Sequence, residues 1–233
     1  SWDGAGGLRS LLARHEAGAC EVPVVDEGIL FDIDTAEDYR RMVERYGGRR
    51  FPAGQECDAI LARQAVPEAV VRHSAIVAGV AREIAGRLNR TGLGLDEGLI
   101  AAAGLLHDLA KGRPNHPRRG ARVLKSLGFP AVAEIVAVHH DIALAEGQPP
   151  KLDEAAIIYL ADKLVKNDSI VSLDERFDCS REKFAADAAA QAAVTGRLVQ
   201  AQRIAAEVEK ALGIKLGEIV EDDFFLKAAG EHL

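Results

Sequence analysis

Residues 101–112 read AAAGLLHDLAKG. Six small or apolar residues run into the adjacent pair His107-Asp108, and Lys111-Gly112 closes the stretch. The Ala and Leu content predicts a packed helix, with Asp96 upstream as its N-cap and Lys111-Gly112 as its stop. An imidazole and a carboxylate inside so apolar a helix need a reason to be there. The same combination recurs along the chain. His73 lies in VRHSAIVAGVA, His139-His140 end AEIVAVHH, and Asp162 interrupts IIYLADKL. His116 adds a fifth histidine in the loop RPNHPRR, out of seven in the chain. Imidazole nitrogens together with carboxylate oxygens suit borderline and hard divalent ions.

The rest of the composition points to a helical, soluble protein. The chain has 233 residues, enough for one large domain or one domain with an appendage. Apolar residues make up 48% and aromatics only 5%, a balance that favours close-packed helices over a β-sandwich. Lys and Arg number 29 against 36 Asp and Glu, for a net charge of -7. An acidic domain is a poor partner for long nucleic acid, although a local basic pocket could still grip a small phosphorylated substrate. Cys20, Cys57 and Cys179 are far apart and show no paired spacing, which suits reduced thiols in a cytoplasmic protein. No apolar run reaches membrane-spanning length. The opening SWDGAGG lacks an initiating Met and reads as a piece of a longer protein.

Working outward, EVPVV and GILFDI predict two short strands around Asp26-Glu27-Gly28. Asp34-Thr35 then opens a helix over AEDYRRMVERY, with Thr35 as N-cap and Asp38 as its capping-box partner. The turn-rich GGRRFPAGQECD ends that region as a linker at 49–56. From residue 57 the period is helical. Helices are expected at about 57–66, 68–89, 96–111, 117–127, 130–140, 154–167 and 181–212, with breaks at TGLGLD, EGQPPKLD and SLDERFDCS. A short helical turn would follow in the tail. The fold class is therefore mainly α, a helical bundle preceded by a small α/β remnant at 1–48.

One divalent ion needs three or four protein donors and room for water. His73, His107, Asp108 and Asp162 come from three helices that could aim at one point. His107 and Asp108 diverge by roughly 100° on a helix, so both touch one ion only if it sits close against them. His116, His139 or His140, and a shared Asp108 could hold a second ion, and two metals with a bridging carboxylate suit phosphate-ester hydrolysis. Lys111, Arg113, Arg118 and Arg119 follow closely and could neutralise a phosphoryl group. On Asp162's own helix, the 3.6-residue turn sends Lys163 about 100° away.

The order His73, His107-Asp108, Asp162 resembles the signature of the HD-domain metal-dependent phosphohydrolases. GLLHDLAKG, HPRRGARVL, VAVHHDI and IIYLADKLV resemble successive family segments, and the likeness covers about residues 65–170. It implies an HD-type bundle over 57–233 that hydrolyses a phosphomonoester, nucleotide or phosphodiester through a metal-activated water. It implies His73, His107, Asp108 and Asp162 as ligands of a primary metal, and His116 and His139 as ligands of a second. His139 matches the family position better than His140. Asp108 and Lys111 would be catalytic and Lys111 would contact a substrate phosphate; Arg118 and Arg119, by their nearness in sequence, are further substrate-binding candidates. The ion could be manganese, iron, magnesium, nickel or zinc, and one or two could be present. A homodimer is compatible with the resemblance.

GGLRSLL with VPVVDEGILFDIDTAEDYRRM resembles the C-terminal end of a molybdenum-cofactor-type nucleotidyltransferase. This implies a nucleotidyltransferase covalently linked upstream in the parent protein. Two other readings of the HD region follow: a nucleotide-sensing module without turnover, and a structural unit for dimer contacts. A complete ligand set favours catalysis.

Overall fold

The computed structural model describes residues 7–20 and 24–220. Its elements are α1 (Gly7–His15), α2 (Ala36–Tyr46), α3 (Gly54–Arg63), α4 (Glu68–Arg90), α5 (Glu97–Leu106), α6 (His116–Ser126), α7 (Pro130–Val138), α8 (Glu154–Lys163), β1 (Val165–Lys166), β2 (Ser169–Ile170), α9 (Leu173–Lys183), α10 (Ala188–Leu212) and α11 (Leu216–Val220). The fold is mainly α, as the composition indicates.

The long α4 is the centre of the bundle. Ile76, Val77, Val80, Ala81, Ile84 and Leu88 recur at helical spacing and are buried along it. Helices α5, α8 and α10 pack against α4, and α6 pairs with α7. Gly104 permits the closest approach. A Cβ placed there would lie 2.6 Å from Ala78 Cα and 2.8 Å from its Cβ, so only glycine lets α5 lie this near α4. That contact brings the C-terminal end of α5 beside His73.

Several boundaries differ from the sequence expectation, each for a local reason. The expected strand over 28–33 is absent: Glu27–Leu30 forms a 3₁₀ turn capped by Asp26, whose Oδ1 accepts from Gly28 N at 2.8 Å. Residues 21–23 of the companion strand lie outside the described set. The Thr35–Asp38 capping box of α2 is as expected. Helix α3 begins at Gly54, inside the expected linker, because Glu56 folds back to accept from Ala53 N at 2.8 Å. Helix α8 stops at Lys163, where the chain turns through Asn167 (φ 56) into an antiparallel β1–β2 hairpin. SLDERFDCS is a helix rather than a break. Ser172 and Glu175 form a capping box that starts α9, and the interruption falls at 184–187. Tail residues 221–233 lie outside the described set.

Candidate metal centre

Histidine placement follows a common local rule. Helices α5 and α7 end at Leu106 and Val138, and the next residue in each case is a histidine. Each ring turns back to its own helix end. His107 Nδ1 lies 2.8 Å from Gly104 O, and His139 Nδ1 lies 2.7 Å from Val136 O. These are carbonyls that a terminating helix leaves without partners. His73, in the second turn of α4, is held from outside by Asn167 O at 2.8 Å. A carbonyl can only accept, so Nδ1 carries a proton in all three rings. In each neutral ring, Nε2 then presents a lone pair to the interior.

Those Nε2 atoms converge on two carboxylates. Asp162 Oδ1 lies 3.3 Å from His73 Nε2 and 3.6 Å from His107 Nε2. Asp108 Oδ2 lies 3.5 Å from His107 Nε2 and 4.0 Å from His73 Nε2. On its other side, Asp108 Oδ1 lies 3.2 Å from His116 Nε2 and 3.6 Å from His139 Nε2. Two donor groups result, His73-His107-Asp108 and Asp108-His116-His139, each compact enough for one ion and both using Asp108. Asp162 adjoins the first. Beyond Leu106 the backbone tightens into turns, with Lys111 N bonding Asp108 O at 2.8 Å, so Asp108 is swung by turn geometry rather than by a continuing helix.

The electrostatics match a site built for positive charge. Burial opposes ionisation of Asp108, but His107, His116 and His139 hold it well below the usual carboxylate range. Burial likewise opposes Asp162, which Lys163, His107 and His73 hold far down. His107 is pulled down by burial, yet Asp108 and Asp162 outweigh this and raise it to about 9. Burial dominates at His139 and lowers it to about 4, despite Asp108. His107 Nε2 and Asp108 Oδ1 are buried without hydrogen-bond partners. Unsatisfied groups of this kind facing a shared point fit a divalent cation.

A cavity of about 320 Å³ opens onto Asp108, His116, His139 and Asp162. Lys111, at its edge, donates to Asp108 Oδ2. Lys163 is also there, and here the sequence expectation is corrected. Its long side chain folds back instead of pointing away, so that Nζ lies 2.6 Å from Asp162 Oδ2 and 3.2 Å from His139 O. The opposite wall comes from α9 and α10, with Arg176, Phe177, Phe184 and Arg197. Arg176 Nε is buried without a partner. His140 turns to Asp141 (Nδ1 to Oδ2, 3.0 Å), and Asp141 is clamped by Arg197 at 2.6 Å. Burial works against that carboxylate, but Arg197 and His140 bring it to about 2.

Arg118 and Arg119 do not line this cavity. They are exposed on the outer face of α6, where Arg119 Nε donates to Pro114 O at 3.1 Å. His116 occupies the first position of α6, on the face it shares with buried Gly120, whereas Arg118 lies about 200° round the helix and Arg119 is turned aside by its bond to Pro114 O. Lys163, Arg176 and Arg197 are the charged cavity residues that the sequence did not assign to the site. Lys163 had a signal in its neighbour Asp162. Arg176 and Arg197, on helices with no motif around them, had none.

The comparisons with known proteins agree with the geometry. The HD domain family matches residues 70–167. An uncharacterised protein of Methanocaldococcus jannaschii is 31% identical over 124 residues, covering 46% of this chain and 73% of that protein. The chain carries an HD domain over residues 70–167. HD domains are generally metal-dependent hydrolases, and the five histidines and aspartates of the two donor groups lie within the matched span. A tRNA (cytidine(56)-2'-O)-methyltransferase of Picrophilus torridus is 26% identical over 186 residues, covering 73% of this chain but only 50% of that enzyme. No solved structure matches. Among the described residues, no helix is long and apolar enough to cross a membrane.

Proposed function

We propose that this HD domain is a phosphohydrolase of a small phosphate ester, a phosphomonoester, nucleotide or phosphodiester. The observation that carries the reading is the convergence of three histidines, their tautomers set by backbone carbonyls, on two buried carboxylates beneath a cation-rimmed cavity. His73, His107, Asp108 and Asp162 would hold one divalent ion. His116 and His139, sharing Asp108, would hold a second. A bound ion would supply Lewis acidity and lower the pKa of water in the cavity. The mixed N/O donors accept manganese, iron, nickel, zinc or magnesium.

The chain's own residues do the remaining work. Lys163 ties Asp162 to the end of α7 through His139 O and so holds two ligand-bearing elements in register. Lys111 orients Asp108 and, at the cavity edge, can reach a phosphoryl oxygen. Arg176 and Arg197 face the metal wall and would take the non-bridging oxygens, in the geometry guanidinium favours. A substrate oxygen would give Arg176 Nε the partner it lacks. Phe177 and Phe184 offer an apolar end for the organic part of the ester.

Elemental analysis of the purified chain beside Asp108→Ala tests this, followed by a phosphate-release screen with the metal found. One or two equivalents, lost in the variant together with phosphate release, are expected. Full turnover by the variant would refute the assignment. Saturable nucleotide binding with no release under any divalent ion would instead make the HD domain a sensor.

A further inference from the structure

From Leu109 to Ala133 the chain carries Lys111, Arg113, Arg118, Arg119, Arg122 and Lys125 but none of its 36 acidic residues, although its net charge is -7. Only Lys111 is committed to the metal cluster. Arg113, Arg119 and Arg122 line a separate hollow of about 310 Å³, completed by Gln64, Leu109 and Val123. None of the three arginines forms an ion pair among the described residues. Three exposed guanidiniums around one concavity focus a local positive potential that suits an anion.

The hollow stands back to back with the metal cavity. In the tight turn after α5, Asp108 and Lys111 face the cavity, whereas Leu109 and Arg113 face the hollow. The two sites therefore share a wall without sharing a lining residue. The hollow's size is that of a small-ligand pocket rather than of an extended groove. Guanidinium forks match phosphate oxygens, and the aliphatic floor of Leu109 and Val123 gives an attached nucleoside a surface to lie on. The chain's overall negative charge disfavours a long polyanion.

We propose that this hollow is a second binding site, for a small ligand bearing a chain of phosphates. The phosphate chain could belong to a nucleoside triphosphate or to an inorganic oligophosphate. The site does not depend on the hydrolase reading of the metal cavity.

Calorimetry on the full chain in EDTA, with inorganic tripolyphosphate and with ATP as probes, tests it. The Asp108→Ala protein should bind as the parent does, which separates this site from the metal cavity. Arg119→Ala/Arg122→Ala should weaken binding roughly tenfold or more, since each removes a charged hydrogen-bonding group. Lys125→Ala lies outside the hollow and should change affinity by no more than about twofold. Circular dichroism checks that the double variant keeps its helices. Tighter binding of ATP would place a nucleoside on the floor, and equal binding would place the phosphate chain alone. The proposal is overturned if neither probe binds, if Asp108→Ala abolishes binding, or if Lys125→Ala costs as much as the double variant. An oligoribonucleotide that binds through Arg119 and Arg122 and is not displaced by tripolyphosphate would also overturn it, making the face an RNA surface.

Discussion

The two walls of the cavity are built differently. The metal wall draws on α4, the turn after α5, the start of α6, the end of α7, and α8. His73, His107, Asp108, His139 and Asp162 are all buried there, and backbone carbonyls fix three of the rings. The facing wall comes from α9 and α10, where Arg197 is held mainly by Asp141, a residue whose side chain is 65% exposed. One wall is core that carries the candidate ligands. The other is a partly exposed polar face laid over it, backed by the buried Phe177 and Val194. Mutations of the His and Asp side chains in the first should therefore cost stability and metal together, and truncation of the cavity-facing arginines in the second should cost substrate affinity with little stability.

Asp162→Ala should produce the largest effect. It strips the partner from buried Lys163, and removing one member of such a pair typically costs about 3–5 kcal/mol. Denaturant unfolding of the metal-free protein checks this. Adding Lys163→Leu should recover part of the stability and none of the metal. Gly104→Ala comes next, at about 1–3 kcal/mol, because the new methyl meets Ala78 of α4. Metal affinity should fall with it, since the same contact sets His73 against His107. Ser172→Ala, which removes the N-cap of α9, should cost about 1 kcal/mol and leave metal content unchanged. Arg197→Ala should move stability by about 0.5 kcal/mol or less, because its pair with Asp141 is partly solvated. Its mark should be a raised KM with full metal occupancy. A loss of metal in that variant would erase the distinction between the walls.

The metal wall should also respond to pH in two opposite ways. His107 has its folded value raised to about 9, so protonation stabilises the metal-free fold fully below about 6.5 and is lost as pH rises through 9. His139 has its folded value lowered to about 4, so its contribution is present above about 6.5 and is lost as pH falls towards 4. The metal-free protein should gain stability from pH 9 down to about 6.5, and the gain should fade below that. Metal must displace the His107 proton, so metal affinity should rise over the range in which apo stability falls. Thermal melts with and without metal across pH would show the crossing.

What was legible from residues alone follows the same division. The helical class, the α2 capping box and the His/Asp cluster that could hold a metal could be read because each leaves a periodic or compositional mark. The 28–33 strand failed because an apolar run with no pairing partner among the described residues gains little from extending. The α9 helix was missed although Ser172-x-x-Glu175 is a capping signal, since the polar run that follows outweighed it.

The sequence by itself determined which residues could bind metal and that helices would carry them. Polar groups set into apolar helices must find a partner, and that requirement is local. Only the tertiary structure decided what faces the His/Asp cluster. Arg176 and Arg197 come to the cavity because α9 and α10 fold across it. Lys163 reaches back to Asp162, and Arg118 and Arg119 are carried away on the outer face of α6. Those outcomes depend on helix orientation and side-chain reach, which residue spacing along one helix does not encode.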